Sequence, residues 1–283
     1  MVNQGPSLEK VVAIIQARMG ASRLPGKVLL DIGGEPMLVR VVERTRRSKV
    51  VDEVVVATSL DQSDDPIEQM CSQRGFACHR GSLHDVLDRY YHAARSLSAE
   101  VIVRITADCP VIDPHLIDQS LYAFYGNGSS LITEEVPEQK GLSPARPLMA
   151  PAWDFTANRL PPPWKRSFPI GLDTEICTFS ALEITWQEAT QPYQREHVMP
   201  FIYEHADRFR VLQVNHDPDY GDFRWTVDNP QDLELLRQIY EHFGGRDDFS
   251  WLEVLDLFQR NPDLAKINAG ITHNDYREFD KGK

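Results

Sequence analysis

Long hydrophobic runs are missing from this sequence. No stretch approaches the roughly 18 apolar residues that a membrane-crossing helix needs, so no membrane partner is expected. The first ten residues hold no apolar core of the kind that opens a signal peptide. Cysteine is scarce: Cys71, Cys78, Cys109 and Cys177 are scattered, with no C-x-x-C pair, which leaves zinc and dithiol motifs without support. Isolated thiols fit a cytoplasmic protein. Positive charge is in deficit, with 30 Lys and Arg against 42 Asp and Glu and a net charge of −12; a nucleic-acid partner would call for a basic face. Internal repeats are absent. The 283 residues are 42% hydrophobic, enough for a substantial core in one domain or one domain with a small annex. Together these exclusions favour a soluble cytoplasmic enzyme acting on small molecules.

The apolar run at residues 11–15 is mostly β-branched and reads as a buried parallel strand. Further strands are expected at residues 54–57 and 101–105. Between and after them lie helices at residues 66–74, 85–97 and 114–125, the last with Asp113 as N-cap. Met37, Leu38, Val41 and Val42 recur at helical spacing with Arg40, Glu43, Arg44 and Arg47 between them, the pattern of an amphipathic helix. Strand–helix alternation of this kind implies an α/β fold with a parallel sheet and right-handed crossovers, and ligands then sit beyond the carboxyl ends of the strands. The pattern breaks at Gly126. Residues 126–151 are polar and weakly periodic and are expected to be an inserted loop, a flap over the pocket in which Arg146 offers a cation. Beyond it, strands are expected at residues 174–179, 209–214 and 224–227. Helices follow at 181–189, at 196–205 with a bend at Pro200, at 231–243 and at 251–259. One domain over residues 11–260 and a loose tail at 261–283 complete the reading.

The most informative stretch is the loop at residues 16–27, directly after the first strand. Arg18, Arg23 and Lys27 place three cations in one short loop of an acidic protein, with Gly20, Ser22 and Gly26 among them. Glycines let backbone N–H groups approach an anion and the cations offset phosphate charge, so this is a candidate triphosphate loop. It is not a Walker A loop: five residues separate Gly20 from Gly26, and Val28 rather than Ser or Thr follows Lys27. Asp108 follows the strand at 101–105, and Asp228 precedes a Pro-initiated helix. Each residue type at these places is also a common turn or helix cap. As a pair at the ligand edge, two acids suit a hard cation that prefers oxygen ligands.

The run "IIQARMGASRLPGKVL" resembles the signature of the CTP-dependent cytidylyltransferases that activate acidic sugars, such as the synthetases of CMP-sialic acid and CMP-keto-deoxyoctulosonate. It is most similar to the subgroup named for a spore-coat polysaccharide biosynthesis protein. The blocks "DEVVVATS", "RGSLHDVLDRYY", "VRITADCPVIDP", "GLDTEICTFSALE", "REHVMPFIY" and "RWTVDNPQDLELL" match in the same order, over residues 11–258. The resemblance implies a three-layer nucleotidyltransferase fold, Rossmann-like, with a mostly parallel sheet and a smaller antiparallel element from the second half. It implies CTP as substrate, Mg²⁺ held by Asp108 and Asp228, and a homodimer whose contact the aromatic residues Trp153, Phe155, Trp164 and Phe168 would supply. The opening Gln16-Ala17-Arg18, where related guanylyltransferases have Gly-Gly, favours CTP. By the same resemblance the nucleotide meets Ala17, Arg18, Gly20, Ser22, Arg23, Lys27, Gly81, Ser82, Asp85 and Arg104. A small acidic acceptor meets Asp173, Glu175, Arg195, Glu196 and His197.

The expected reaction transfers CMP from CTP to the acceptor and releases pyrophosphate, with Lys27, Arg18 and Arg23 stabilising the triphosphate charge. A glycosyltransferase on a related fold is the first alternative, although Asp108-Cys109-Pro110 is not the Asp-x-Asp motif that class carries. A catalytically inert nucleotide-binding subunit is the second.

Overall fold

A computed structural model of the chain describes residues 9–133, 150–161 and 165–271. The first half alternates strand and helix as its periodicity demands. After β1 (Val11–Gln16) come the short antiparallel pair β2 (Asp31–Ile32) and β3 (Glu35–Pro36), then α1 (Met37–Thr45), β4 (Glu53–Ser59), α2 (Asp65–Arg74), β5 (Ala77–Gly81), α3 (Val86–Ser96), β6 (Val101–Thr106) and α4 (Pro114–Phe124). The second half adds β7 (Leu131–Thr133), β8 (Phe155–Ala157), β9 (Glu175–Thr178), α5 (Phe179–Glu188), α6 (Pro192–His197), α7 (Pro200–Glu204), β10 (Val211–Gln213), β11 (Asn215–Asp217), α8 (Pro230–His242) and α9 (Trp251–Arg260).

Seven strands form one sheet in the order β10-β8-β9-β6-β1-β4-β5. β1 lies between β6 and β4 and is parallel to both, and β4 is parallel to β5. β9 runs antiparallel to β6 and to β8, so the antiparallel element from the second half is part of the main sheet. Alternation along β1 divides the core. Val11, Ala13 and Ile15 pack in one cluster with residues of α1, α4, α8 and α9; Val12 and Ile14 pack in the other with residues of α3, α5 and α7. Sheet between two helical layers is the expected three-layer arrangement, and it sets the strand ends of β1, β4 and β6 side by side. Among the described residues no helix is long and apolar enough to cross a membrane.

Several local expectations are corrected. α1 is not amphipathic in its surroundings, because Arg40 and Arg44 are buried. Arg44 donates to the carbonyls of Ile112 (2.7 Å) and Phe249 (2.9 Å) and lies 4.5 Å over the Phe249 ring; its charge is spread over backbone dipoles where residues after α8 cover the helix. Residues 224–227 form no strand, only an isolated bridge between Ile170 and Arg224. The helix expected over 196–205 is two helices, α6 and α7, parted by Val198 at φ 70°. Residues 131–133 of the expected insertion form β7, which pairs with β11; residues 134–149, including Arg146, lie outside the described residues. Phe155 and Phe168 are fully buried in the cores, so these two do not supply a dimer surface; Trp153 is half-buried against one core, and Trp164 lies outside the described residues.

Candidate functional site

The loop at residues 17–27 springs from the end of β1 and is braced by its own backbone. Gly26 N–H donates to the Met19 carbonyl at 2.9 Å, and Gly26 adopts φ 71°, the left-handed conformation that glycine tolerates best. A residue not singled out from sequence, Asp64, holds the loop from outside. Almost wholly buried, it accepts from Met19 N–H (2.7 Å) and Ser59 N–H (3.2 Å), tying the loop to the end of β4. Ala17 is buried with its N–H donated to Ala57, whereas Gly20 and Ser22 are exposed on the loop surface. The Arg18 and Arg23 side chains are 42% and 44% exposed, which leaves both open to an incoming anion.

Lys27 opens a single 3₁₀ turn and reaches back across the sheet edge. Its Nζ donates to Asp108 Oδ2 at 2.9 Å, to Asp228 Oδ1 at 3.0 Å and to the Val227 carbonyl at 2.7 Å. Burial works to lower the Lys27 pKa, but the two carboxylate charges and their hydrogen bonds override it and hold it above the ordinary lysine value. Burial would raise Asp228; Lys27 and Arg224 outweigh it and bring its carboxyl down to about 2. Neither acid is spent as a cap. Asn229 caps α8, accepting from Gln231 and Asp232 N–H. The Asp108 carbonyl accepts from Val227 N–H (2.9 Å) and Thr226 Oγ1 (3.0 Å), which staples the two acid-bearing segments together. Next to it, burial first and the Asp108 charge second push the Cys109 thiol well up.

Arg224 is a second residue that sequence reasoning missed. Its Nη2 donates to Asp228 Oδ2 (2.6 Å) and its Nε to the fully buried Asp232 (2.9 Å), and Asp232 in turn accepts from Asp228 N–H. Its signal was present in outline, since Arg224, Asp228 and Asp232 are spaced by four in the "RWTVDNPQD" block. Gly171 brings the "GLDTE" block against this segment. At φ 109° it sits where an added Cβ would fall 2.5 Å from the Trp225 carbonyl oxygen.

On the other side, Asp85 caps α3 by accepting from Asp88 N–H. Asp85 also takes a bidentate pair from Arg195, with Nε–Oδ1 at 3.1 Å and Nη2–Oδ2 at 2.5 Å. Gly81 is explained by packing: an added Cβ would lie 2.7 Å from Cγ of the buried Arg89, whose Nη1 donates to the Ser82 carbonyl. Arg195, Glu196 and His197 close α6 rather than open a helix. Glu196 meets Arg18 at 3.1 Å, which joins the end of α6 to the loop at residues 17–27. Arg104 and Glu175, in register on β6 and β9, are paired with each other and nearly buried. Asp173 pairs with Arg166. Asn158, buried, accepts from Thr174 N–H and donates to the Leu172 carbonyl, holding the "GLDTE" block in place.

The family model for cytidylyltransferases matches residues 12–242. The spore coat polysaccharide biosynthesis protein SpsF of Bacillus subtilis is 32% identical over 265 residues, covering 91% of this chain and 98% of its own length. The 3-deoxy-manno-octulosonate cytidylyltransferase of Anaeromyxobacter dehalogenans is 30% identical over 246 residues, 82% of this chain and 98% of that protein. Among solved structures, a cytidylyltransferase from Leptospira borgpetersenii superposes with a TM-score of 0.78 at 31% identity, covering 94% of this chain and all of the other. A match that runs from β1 to the end of α8, beside relatives aligned over nearly their whole lengths, makes this chain a member of the cytidylyltransferase family of nucleotidyltransferases.

Proposed function

We propose that the chain transfers CMP from CTP to an acidic sugar or a related small acid, releasing pyrophosphate, and that the reaction uses Mg²⁺. The observation that carries this reading is the convergence of Lys27, Asp108 and Asp228 at the foot of the phosphate loop. Two carboxylates that reach one ammonium group within 3.0 Å are spaced to share one hard cation. Mg²⁺ takes one or two carboxylates and completes its shell with phosphate oxygens and water, and this donor set fits that habit. Bound there, Mg²⁺ would supply charge screening and orientation to the α-phosphate and the acceptor oxygen.

The chain's own residues do the rest. Arg18 and Arg23 bind and neutralise the triphosphate from the open side of the loop. An acceptor oxygen bonds to the α-phosphorus and its proton is lost; the bond from that phosphorus to the bridging oxygen breaks, and pyrophosphate leaves with the bonding pair. Lys27 offers its ammonium charge to the negative charge that gathers on pyrophosphate. The 3-deoxy-manno-octulosonate relative and the polysaccharide biosynthesis relative support an acidic sugar as acceptor, and His197 is the acceptor-side group assigned to it.

Pyrophosphate release from CTP, UTP, ATP and GTP against a panel of sugar acids tests the reading. CTP with Mg²⁺ and at least one sugar acid should give turnover, and CTP should raise the melting temperature more than the purine triphosphates do. Turnover confined to neutral sugar phosphates, or to another triphosphate, would overturn it. A homodimer, also proposed, is checked by light scattering against the 32.3 kDa protomer.

A further inference from the structure

Gln16 ends β1, in register with Ala57 of β4 and Thr106 of β6, where the strand runs into the phosphate loop. Its main chain is committed, the carbonyl accepting from Ala107 N–H at 3.1 Å. Its side chain lies on the face of the sheet that carries Ile14 and Arg104. Arg104 Nε donates to Gln16 Oε1 at 3.2 Å, while Arg104 Nη1 is held by Glu175. An arginine N–H can only donate, so the amide oxygen has to face Arg104, and the reverse orientation would set two donors against each other. Nothing among the described residues accepts from Gln16 Nε2, and that atom is not buried. The amide is thus held with its oxygen consumed and its two N–H donors without a partner among the described residues.

We propose that Gln16 reads the base, and that Arg104 and Glu175 act as positioning residues that fix its amide in a donor-only state. Cytosine offers two acceptors, ring N3 and O2, to such a face. Uracil offers O2 but carries a hydrogen on N3, which would meet a donor and leave both groups unpaired. An amide free to turn would accept from that N3–H; the Arg104 lock forbids it. A site that leaves buried polar groups unpaired discriminates far better than one that merely lacks a methylene contact, and a single such mismatch is worth about ten- to a hundredfold in affinity. This inference rests on the CTP reading above and deepens it to the side chain that separates the two pyrimidines.

Calorimetric titration of the full chain with CTP and with UTP, each with Mg²⁺ and without acceptor, tests it. The wild type should favour CTP by about ten- to a hundredfold. Gln16→Leu should bring the two affinities to within about threefold, chiefly by weakening CTP. Gln16→Glu keeps a partner for Arg104 but puts an acceptor where the amide has donors, and should shift preference towards UTP. If Gln16→Leu does not fold, Gln16→Glu decides the matter alone. Folded variants that keep the wild-type ratio would overturn the role of Gln16 and leave the cytidylyltransferase reading standing, as would equal wild-type affinities for CTP and UTP together with CTP-dependent turnover. A wild type that binds neither nucleotide would take both down.

Discussion

On the phosphate-loop side of the cleft a single lysine is shared by two carboxylates, and Arg18 and Arg23 stand open beside it. On the other side Arg195 pairs with Asp85 and Arg104 with Glu175. Both sides look equally charged in the sequence. They differ in whether the charge is available. Lys27 joins Asp108 to Asp228, and Asp228 has two further counter-ions, Arg224 and Arg23. The matched pairs have no such slack. They hold their segments in shape and present what is left over, such as the outer face of the Gln16 amide. Shared charge serves chemistry, and closed pairs serve geometry.

That contrast can be broken at its stiffest point first. Glu175→Ala leaves Arg104 buried beside β9 without its carboxylate, and should cost about 3–5 kcal/mol in urea denaturation. Replacing both partners with apolar residues should restore much of the loss. A cost below about 1 kcal/mol for the single change would show that this pair is not closed.

Asp108→Asn and Asp228→Asn should each lower kcat by about a hundredfold or more while the protein stays folded, because both carboxylates stand at segment ends and not within the apolar cores. Near-normal Mg²⁺-dependent turnover in a folded variant would remove that residue from the metal-binding pair. Lys27→Met sharpens the same point without relying on activity. It leaves two neighbouring carboxylates short of a cation, and should lower stability by roughly 1–3 kcal/mol in chelator, with millimolar Mg²⁺ returning part of the loss. No response to Mg²⁺ in thermal unfolding would count against a shared cation there.

The smallest effect on the fold should come from the open cations. Arg18→Gln and Arg23→Gln should change stability by no more than about 0.5 kcal/mol, since exposed pairs contribute little. Each should weaken nucleotide binding by about tenfold at low salt, and less as ionic strength rises. A large stability loss would mean that these arginines are structural after all.

Much of this was legible along the chain. The β-branched run of β1, the strands β4 and β6, the helices between them, the Asp113 cap and the cationic loop all follow from local pattern, because hydrophobic period and capping act over a few residues. The ordered blocks of the resemblance carried Asp108 and Asp228 to the same site. The strand β5 was missed because its residues are mostly polar, the three-residue β8 is too short to show a period, and residues 224–227 read as a strand because apolar content alone does not supply a ladder partner.

What the sequence by itself determined is the alternation of elements, the place of the phosphate loop and the identity of the residues that carry charge. What only the tertiary structure decided is which charges face one another. Lys27 finds partners 81 and 201 residues away. Glu175 reaches Arg104 because β9 runs antiparallel to β6, and Arg44, periodic with a polar face, is buried because chain some 200 residues later covers it. A charged side chain keeps the same local signature whether it ends in water, in a closed pair or in a shared cluster. Burial and the neighbours brought by distant chain segments set its partners and its pKa, and those are properties of the packed sheet and not of any stretch of sequence.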